Sequence, residues 1–344
     1  MSIETPDTKR KRRTSTAGYR MEDVASLAGV SMITVSRAIN TPDKVSPATR
    51  ARVDAAIRKS GYVPNLTAGS LASNRSRIIA VIVPTIDNSI FAETIRGLSE
   101  TLASGGYQLL LGQTGYDERS EEALVATFIG RRVDGIVVTG VDHSAPTRER
   151  LRKAGIPVVE TWDLTKRPID MVVGFSNADA GRAMALYLLA KGHRRLGFAG
   201  GAEGRTRARL AGFTAAIKAT PHASLQHLLL RAGTSMRNGR EALGALLDLD
   251  AGLDAIFFTN DALAVGALME CVRRQIRVPQ DLAIAGFADL EIAAQVEPSL
   301  TTVQVGSRRI GEQAGQMLLA RLAGTTVSDP IRDLGFAVVP RASA

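Results

Sequence analysis

Residues 21–40, MEDVASLAGVSMITVSRAIN, decide the fold of the N-terminal part of this chain. The stretch predicts a helix over Met21–Ala28, with acidic residues in the first turn, where the helix dipole favours them. Gly29 ends this helix because glycine readily adopts the left-handed conformation of a helix stop. Ser31 is a favourable N-cap for a second helix over Met32–Asn40. The sequence therefore predicts two helices joined by a tight turn.

A third helix is predicted after the chain is broken at residues 41–43. Ser46 and Pro47 restart it as an N-cap and a first helical residue, and Gly61 stops it. Residues 19–62 thus form a predicted unit of three short helices. The polar and basic residues 1–18 that precede it are expected to be a disordered arm.

The outer face of the second helix is polar. Val35 and Ile39 stand four residues apart and are expected to face a core. Four polar residues then point outward: Thr34, Ser36, Arg37 and Asn40. Hydroxyl groups suit phosphate oxygens, and arginine can contact a guanine edge through two hydrogen bonds. The spacing favours DNA binding, although an ordinary helical hairpin with a polar outer face has the same pattern.

The net charge of the 344-residue chain, +9, is concentrated near the N-terminus. Residues 1–75 hold 13 Lys and Arg against 6 Asp and Glu, whereas the remaining residues hold 30 against 28. A basic module on a nearly neutral body is typical of nucleic-acid binding. Much of this charge belongs to residues 9–13, KRKRR, so charge alone does not decide the function.

Several classes of protein are excluded by composition. The single cysteine, Cys271, leaves no internal disulfide framework and no cysteine-rich zinc site. No apolar run is long enough to span a membrane, and the polar N-terminus is not a secretory signal, so we expect a cytoplasmic protein. The sequence also lacks a phosphate-binding lysine motif, a G-x-G-x-x-G fingerprint and a persuasive catalytic or metal cluster. We therefore expect neither an enzyme nor a bound cofactor.

The remainder of the chain alternates short apolar runs with helical patterns, which predicts βαβ units and parallel sheets. Apolar runs include residues 78–83, 109–112, 135–139, 157–159, 196–199, 255–258 and 282–285. Helical patterns lie between them, for example over residues 178–191 and 262–274. Continuous apolar runs are typical of strands that are buried on both faces.

Residues 21–40, followed by KVSPATRARVDAAIRKSGYVPN at 44–65, resemble the DNA-binding headpiece of the lac repressor family. The resemblance continues over about residues 20–340. It implies a helix-turn-helix headpiece (19–62), a hinge (63–76) and a core (77–344) like periplasmic sugar-binding proteins. The core would comprise two doubly wound parallel-sheet lobes, lobe 1 (about 77–174 and 306–332) and lobe 2 (about 175–305 and 333–344). It also implies a homodimer on palindromic operator DNA.

The resemblance assigns DNA contacts by position. Met32 and Ile33 match the variable specificity pair, which here would read thymine methyls or DNA shape. Arg37 matches a base-contacting arginine. Six residues match contacts to phosphate or backbone: Thr34, Ser36, Asn40, Ser46, Thr49 and Asn65. Leu71 in the hinge matches a leucine that enters the minor groove, where an apolar wedge kinks the duplex.

A ligand pocket is expected beyond the carboxyl ends of the strands. Polar or aromatic residues follow the apolar runs there, and they suit a polyhydroxyl ligand. The predicted effector contacts are Phe91, Gln113, Thr139, His143, Glu160, Asp163, Arg205, Arg209, Asn260 and Asp289. Asn88, Asn177 and Asp261 stand at similar points. The family often has a ligand-binding aspartate where Ala288 stands here, so one expected contact is missing.

Within the family the chain is most similar to gluconate-operon repressors, in stretches such as IPVVETWD at 156–163 and TNDALAVGA at 259–267. This implies a repressor that gluconate or a related sugar acid releases from DNA. A neutral sugar, or an effector that acts as a co-repressor, is the alternative. A sugar-binding protein for transport is more remote, because the chain carries the headpiece and no signal peptide. Tetrameric members of the family carry C-terminal leucine heptads. This sequence shows none, so the resemblance implies a dimer.

Overall fold

The structure is a computed structural model that describes residues 19–63, 75–86, 89–230 and 233–344. It divides into two compact units, Met1–Ser76 and Arg77–Ala344. The predicted arm, most of the predicted hinge, and Asn65, Leu71 and Asn88 lie outside the described residues.

The N-terminal unit contains the three predicted helices, α1 (Met21–Ala28), α2 (Met32–Asn40) and α3 (Pro47–Ser60). A short 3-10 turn, Pro42–Lys44, lies between α2 and α3. The predicted caps are confirmed. Ser31 and Ser46 accept hydrogen bonds from backbone amides at the starts of α2 and α3. Gly29 and Gly61 end α1 and α3 with φ of 63° and 66°.

A small apolar core holds these helices together. Val24, Val35 and Val53, one from each helix, are fully buried in it. Four alanines complete the buried set: Ala25, Ala28, Ala38 and Ala56. Ile39 is partly buried against this cluster, as its spacing from Val35 predicts. Burial of one face of α2 leaves its opposite face open.

Two six-stranded sheets form the larger unit, and we call each sheet with its helices a lobe. In lobe 1 the strand order is β11-β5-β4-β3-β1-β2, with every pair parallel. Its strands are β1 (Ile78–Val83), β2 (Gln108–Gln113), β3 (Gly135–Thr139), β4 (Val158–Thr161), β5 (Met171–Gly174) and β11 (Ile331–Asp333). The sheet is packed against α4 (Ala92–Ser104), α5 (Glu118–Gly130), α6 (Ala145–Lys153) and α12 (Ser307–Leu322).

Lobe 2 has the order β12-β10-β9-β8-β6-β7, and only its β10–β12 pair is antiparallel. Its strands are β6 (Arg195–Gly201), β7 (Ser224–Leu230), β8 (Ala255–Phe258), β9 (Ala283–Ala288), β10 (Thr301–Val305) and β12 (Phe336–Val339). Its helices are α7 (Asn177–Ala190), α8 (Gly204–Lys218), α9 (Met236–Leu249), α10 (Asp261–Arg273) and α11 (Glu291–Gln295).

The chain passes between the lobes three times: after β5, after β10 and between β11 and β12. The buried central strands are the continuous apolar runs that the sequence predicted, and β1, β3 and β8 have the predicted bounds. A cluster of Phe198, Phe213 and Phe257, with ring centroids 5.6 Å apart, fills one side of lobe 2. None of the helices in the described part of the chain combines the length and apolarity that crossing a bilayer requires.

Candidate functional site

The outer face of α2 is open to solvent. Met32 and Ile33 are 48% and 64% exposed, and Arg37 is also exposed. Thr34 and Ser36 are partly buried on the same helix. The side chain of Asn40, at the end of α2, is outside the described part of the chain. The exposed surface of α2 therefore carries two large apolar side chains, Met32 and Ile33, beside the guanidinium of Arg37.

Three of the predicted phosphate-contacting hydroxyls, those of Thr34, Ser46 and Thr49, lie at the N-termini of α2 and α3. Ser31 Oγ lies 3.2 Å from the Thr34 amide and 3.0 Å from its hydroxyl. At the start of α3, Ser46 Oγ accepts from the Thr49 amide at 3.4 Å and donates to Thr49 Oγ1 at 3.0 Å. Helix N-termini carry amide groups and partial positive charge that suit phosphate. The N-termini of α2 and α3 are therefore suited to contact the phosphate backbone of a nucleic acid.

A second candidate site lies between the two lobes, at the carboxyl ends of the strands. We call it the inner cavity. Residues from both lobes line it: Ile90, Phe91, Tyr116, Trp162, Glu203, Arg205, Arg209, Thr234, Thr259 and Asn260. Four of the predicted effector contacts, Phe91, Arg205, Arg209 and Asn260, are thus brought together.

Arg209 on α8 is the most buried cation of the inner cavity, with 3% of its surface exposed. Its Nε donates to Asn177 Oδ1 at 2.8 Å, and its Nη1 donates to the Thr259 carbonyl at 3.0 Å. The guanidinium carbon lies 3.8 Å from the centroid of the Phe287 ring. Burial lowers the pKa of Arg209 to about 10, so the guanidinium stays charged at neutral pH and is held in one orientation.

Arg205, one turn earlier on α8, connects the lobes. Its guanidinium lies 5.6 Å from the centroid of Phe91, which belongs to lobe 1. Phe91 in turn makes an edge contact with Trp162 at 5.2 Å, and Trp162 Nε1 donates to Thr94 Oγ1 at 3.1 Å. Arginine stacks favourably on aromatic faces. The aromatic wall of lobe 1 is therefore placed against the cations of lobe 2.

Asn260 and Asp261 at the start of α10 have different roles. Asn260 lines the inner cavity and caps α10 by accepting from the Ala262 amide at 2.7 Å. Asp261 faces away, accepting from Thr302 Oγ1 at 2.6 Å and from the Leu290 amide at 2.7 Å. Its burial raises the pKa of Asp261 to about 6. Asp261 therefore joins α10 to β10.

Next to the inner cavity is an outer cleft of about 480 Å³. Thr139, His143 and Asp163, three further predicted contacts, line it together with Tyr116, Glu203 and Arg205, which also line the inner cavity. Thr139 uses its hydroxyl to donate to the Ile82 carbonyl at 3.0 Å. The two cavities therefore adjoin each other between the lobes and share part of their lining.

Comparison with known proteins matches both parts of this architecture. Residues 20–65 match the model of the lacI family of bacterial regulatory proteins, and residues 185–344 match that of a periplasmic binding protein-like domain. The HTH-type transcriptional regulator GntR of Escherichia coli K12 is 35% identical over 327 residues, which cover 94% of this chain and 98% of that protein. The chain belongs to the lacI family.

Two further lacI-family comparisons cover nearly the whole chain. The GntR regulator of Pseudomonas aeruginosa is 36% identical over 339 residues, 98% of this chain and 99% of that protein. A crystal structure of a lacI-family regulator from Silicibacter pomeroyi has a TM-score of 0.88 at 34% identity, covering 94% and 99% of the two chains. The predicted family and fold are confirmed, and the protein is a DNA-binding transcriptional regulator.

Three predicted effector contacts are not brought to the cavities of this lacI-family protein. Gln113 is exposed at the end of β2. Glu160 is completely buried behind the outer cleft. Asp289 accepts from Arg341 at 2.6 Å and from Gln304 at 2.8 Å, and it lines a separate cleft of about 1050 Å³.

Other residues of the site were not predicted as contacts. They are Tyr116, Trp162, Glu203, Thr234 and Thr259 on the lining and Phe287 beneath Arg209. Trp162, the only tryptophan, directly follows the β4 run, so the strand-end rule could have found it. No group of three or more metal-ligating side chains is found among the residues that the structure describes.

Proposed function

We propose that this protein is a repressor that binds palindromic operator DNA as a cytoplasmic homodimer and is released by a sugar acid such as gluconate, or by a phosphorylated or keto relative. The sequence resemblance to gluconate-operon repressors and the relatives named GntR support this proposal. So does the charge of the inner cavity.

The observation that carries the sugar-acid effector is a pair of buried cations that lack a direct carboxylate contact. Arg205 and Arg209 are 8% and 3% exposed, and neither has a carboxylate oxygen within 4.0 Å among the described residues. Glu203 and Asp163 act on Arg209 only at longer range. Buried charges in proteins are usually paired, because an unpaired one has lost its hydration. An anionic ligand restores the pairing, and the planar guanidinium groups suit a carboxylate or phosphate.

On the DNA side, we propose that α2 enters the major groove. Arg37 reads a guanine, and Met32 and Ile33 contact thymine methyls. Thr34, Ser36, Asn40, Ser46, Thr49 and Asn65 contact phosphate or backbone, and Leu71 enters the minor groove. The exposure of Met32, Ile33 and Arg37 supports this assignment.

Release follows from a population shift between arrangements of the two lobes. Phe91 of lobe 1 and Arg205 of lobe 2 belong to one lining, so a ligand there contacts both lobes and favours one arrangement of them. We propose that this arrangement separates the paired hinges from the operator. The coupling is reciprocal, so operator DNA weakens effector binding by the same factor.

A neutral sugar is the second candidate effector. Asp163, Glu203 and Asn260 line the same site and are suited to sugar hydroxyls, and Phe91 offers an aromatic surface. These groups also suit the hydroxyls of a sugar acid, so the charge of the ligand is what distinguishes the two candidates.

Calorimetry with the full chain tests the effector. Gluconate and glucose share a six-carbon skeleton, and only gluconate carries a carboxylate. We expect heat with gluconate, none with glucose, and loss of the gluconate heat in Arg205→Ala. Arg182→Ala is the matched control, because Arg182 is an exposed arginine of α7 that lines neither cavity. Binding of glucose and of no sugar acid would contradict the proposal.

A second experiment tests DNA binding and release. It uses DNA that the protein selects from random double-stranded oligonucleotides. We expect a palindromic consensus, and gluconate should release the selected DNA in a gel-shift assay. Sedimentation of the complex should give two chains per duplex. Tighter DNA binding on adding gluconate would show a co-repressor instead.

A further inference from the structure

His143 lies in the segment between β3 and α6, and its side chain is completely buried. Both ring nitrogens face acceptors. Nδ1 is 2.8 Å from Glu121 Oε1 on α5, and Nε2 is 3.1 Å from the Gly140 carbonyl oxygen. Glu160 Oε1 on β4 is 3.7 Å from Nε2. The ring is therefore enclosed by oxygens that accept hydrogen bonds.

Both ring contacts can be hydrogen bonds at the same time only if the pair of His143 and Glu121 holds one proton more than a neutral ring and an ionised carboxylate would. A carbonyl oxygen can only accept, so Nε2 carries a hydrogen. Nδ1 and an ionised Glu121 are both acceptors, so their contact at 2.8 Å is a hydrogen bond only if a proton lies between them. Neutral histidine with an ionised glutamate would instead bring two lone pairs together.

The surrounding charges favour placing that proton on the ring. The charged groups that face His143 are Glu121 from α5 and Glu160 from β4, with Arg148 of α6 bound to Glu160 at 3.3 Å. Burial raises the pKa of Glu160, and the Ile169 amide, His143 and Arg148 oppose that rise. An imidazolium at His143 gives two carboxylates and two cations, which is the balance that buried charges require.

The segment that His143 anchors forms part of the effector site. Gly140 donates its amide to the Thr161 carbonyl at 2.7 Å, and a Cβ placed on Gly140 would lie 3.2 Å from Arg205 Nη1. A Cβ on Gly204, the first residue of α8, would lie 2.6 Å from Asp142 Oδ2. Residues 140–142 of lobe 1 therefore pack directly against the first turn of α8 in lobe 2.

We propose that His143 is a positioning residue, held as an imidazolium between Glu121 and Gly140, which fixes residues 140–142 against Arg205 and makes effector binding depend on a proton. It does not contact the effector. Loss of the proton at higher pH removes the Nδ1 hydrogen bond, frees residues 140–142 and weakens effector binding. This regulation of the site rests on the proposed function above.

Titration of the full chain with gluconate from about pH 5 to about pH 9 tests the coupling, since histidines in proteins titrate in this range. We expect gluconate affinity to fall about tenfold as the pH rises, the size expected for one hydrogen bond to a charged group. Glu121→Gln should remove this dependence, because its amide donates to Nδ1 of a neutral ring without titrating. His193→Gln, which removes a half-buried histidine of lobe 2 outside the site, should behave like the wild type.

Any pH dependence of gluconate affinity that remains in Glu121→Gln would come from other groups that titrate between about pH 5 and about pH 9. Asp261, with a pKa of about 6, is one of them. The acids and bases that share the outer cleft are Asp117, Glu118, Asp142, Asp163, Glu203, Arg205 and Arg207. Equal slopes in the wild type and Glu121→Gln would overturn the proposal.

Two measurements need no effector. The chain has four histidines, so a histidine ¹H–¹⁵N spectrum, assigned with His143→Gln, can report the ring directly. We expect two N–H groups on His143 at neutral pH, and a single N–H overturns the proposal. Trp162, the only tryptophan, follows Thr161 and should report movement of Gly140. Its emission should titrate with pH in the wild type and not in Glu121→Gln. If gluconate does not bind but the histidine and tryptophan results are as expected, the proposed effector is wrong, and the role of His143 in fixing residues 140–142 remains supported.

Discussion

The outer face of α2 and the buried face of α8 each present arginine to a ligand in opposite surroundings. Arg37 on α2 is exposed, whereas Arg209 on α8 is enclosed by Asn177, Thr259 and Phe287. An exposed guanidinium is hydrated and must lose water when it binds, but a buried one was desolvated and oriented when the protein folded. Removal of the buried arginine should therefore have the larger effect on binding.

The largest effect is expected for Arg209→Met. The change keeps an apolar stem over Phe287 and removes the buried charge, so gluconate affinity should fall about 100-fold or more. Operator affinity without effector should stay close to that of the wild type. Calorimetry and fluorescence anisotropy measure the two constants.

Arg209→Lys separates charge from geometry. Lysine keeps the charge but cannot make the paired hydrogen bonds of a guanidinium, so a loss nearly as large is expected. Arg182→Met, at an exposed arginine of α7 that lines neither cavity, is the control. If Arg209→Met loses no more affinity than Arg182→Met, the contrast between buried and exposed arginines fails.

A smaller effect is expected for Arg37→Ala on α2. One bidentate base contact discriminates by about 1–3 kcal/mol, so affinity for the selected operator should fall about 5- to 150-fold. Affinity for random DNA should change little, because phosphate contacts provide most of that binding. Competition gel shifts measure both affinities.

Arg58→Ala provides the control, since Arg58 is an exposed arginine in the last turn of α3. It should alter specific and non-specific binding by similar small factors. A loss at Arg37 that is equal on operator and random DNA would mean that this arginine contacts phosphate only.

The outer face of α2 could be predicted from the sequence more completely than the cleft between the lobes. The helices of the N-terminal unit depend on local signals, such as Ser31, Ser46, Gly29 and Gly61, and their bounds were predicted to the residue. The exposed face of α2 followed from the burial of Val35 on the same helix. The helix bounds of that surface are set by signals within about one turn, and the burial of its opposite face follows from packing of Val35 against the other two helices.

The cleft is assembled from distant segments, and prediction was less complete there. The strand-end rule found Phe91, Arg205, Arg209 and Asn260, because carboxyl ends of parallel strands meet at one edge. It could not tell which side chains turn inward, so Glu160 and Asp289 were grouped with them. Both are held by partners on other segments of the chain, Arg148 of α6 for Glu160 and Arg341 for Asp289.

Five strands were not among the apolar runs named from the sequence, although β5 (MVVG) and β12 (FAVV) are themselves short apolar runs. They are β5, β7 and β10, and the short β11 and β12. Residues of β7 (Ser224–Leu230) are only partly buried at the edge of the sheet, and β11 and β12 have three and four residues. Their pairing depends on the passages between the lobes, which no local pattern reports.

Burial of an acid inside lobe 2 should also have a measurable cost in stability, and Asp261, which joins α10 to β10, tests this. Its folded-state pKa of about 6 is above the ordinary value of 3.8, so the folded protein binds more protons than the unfolded chain between these values. Stability should therefore fall as the pH rises through this window and level off above it. Lowering the pH from about 7 to about 5 should stabilise the core by about 1–2 kcal/mol, since one pKa unit corresponds to about 1.4 kcal/mol.

Asp261→Asn removes the titration and should flatten this part of the profile, as thermal unfolding at the two pH values will show. Asp281→Asn is the matched control. Asp281 is bound by Arg277, which lowers its pKa to about 2, so its contribution is lost only in stronger acid and its removal should leave the slope between the two pH values unchanged. A wild-type slope that persists in Asp261→Asn would place the cost of burial at another group. Helix α2 (MITVSRAIN) contains no acidic residue, so its exposed face offers no comparable titration.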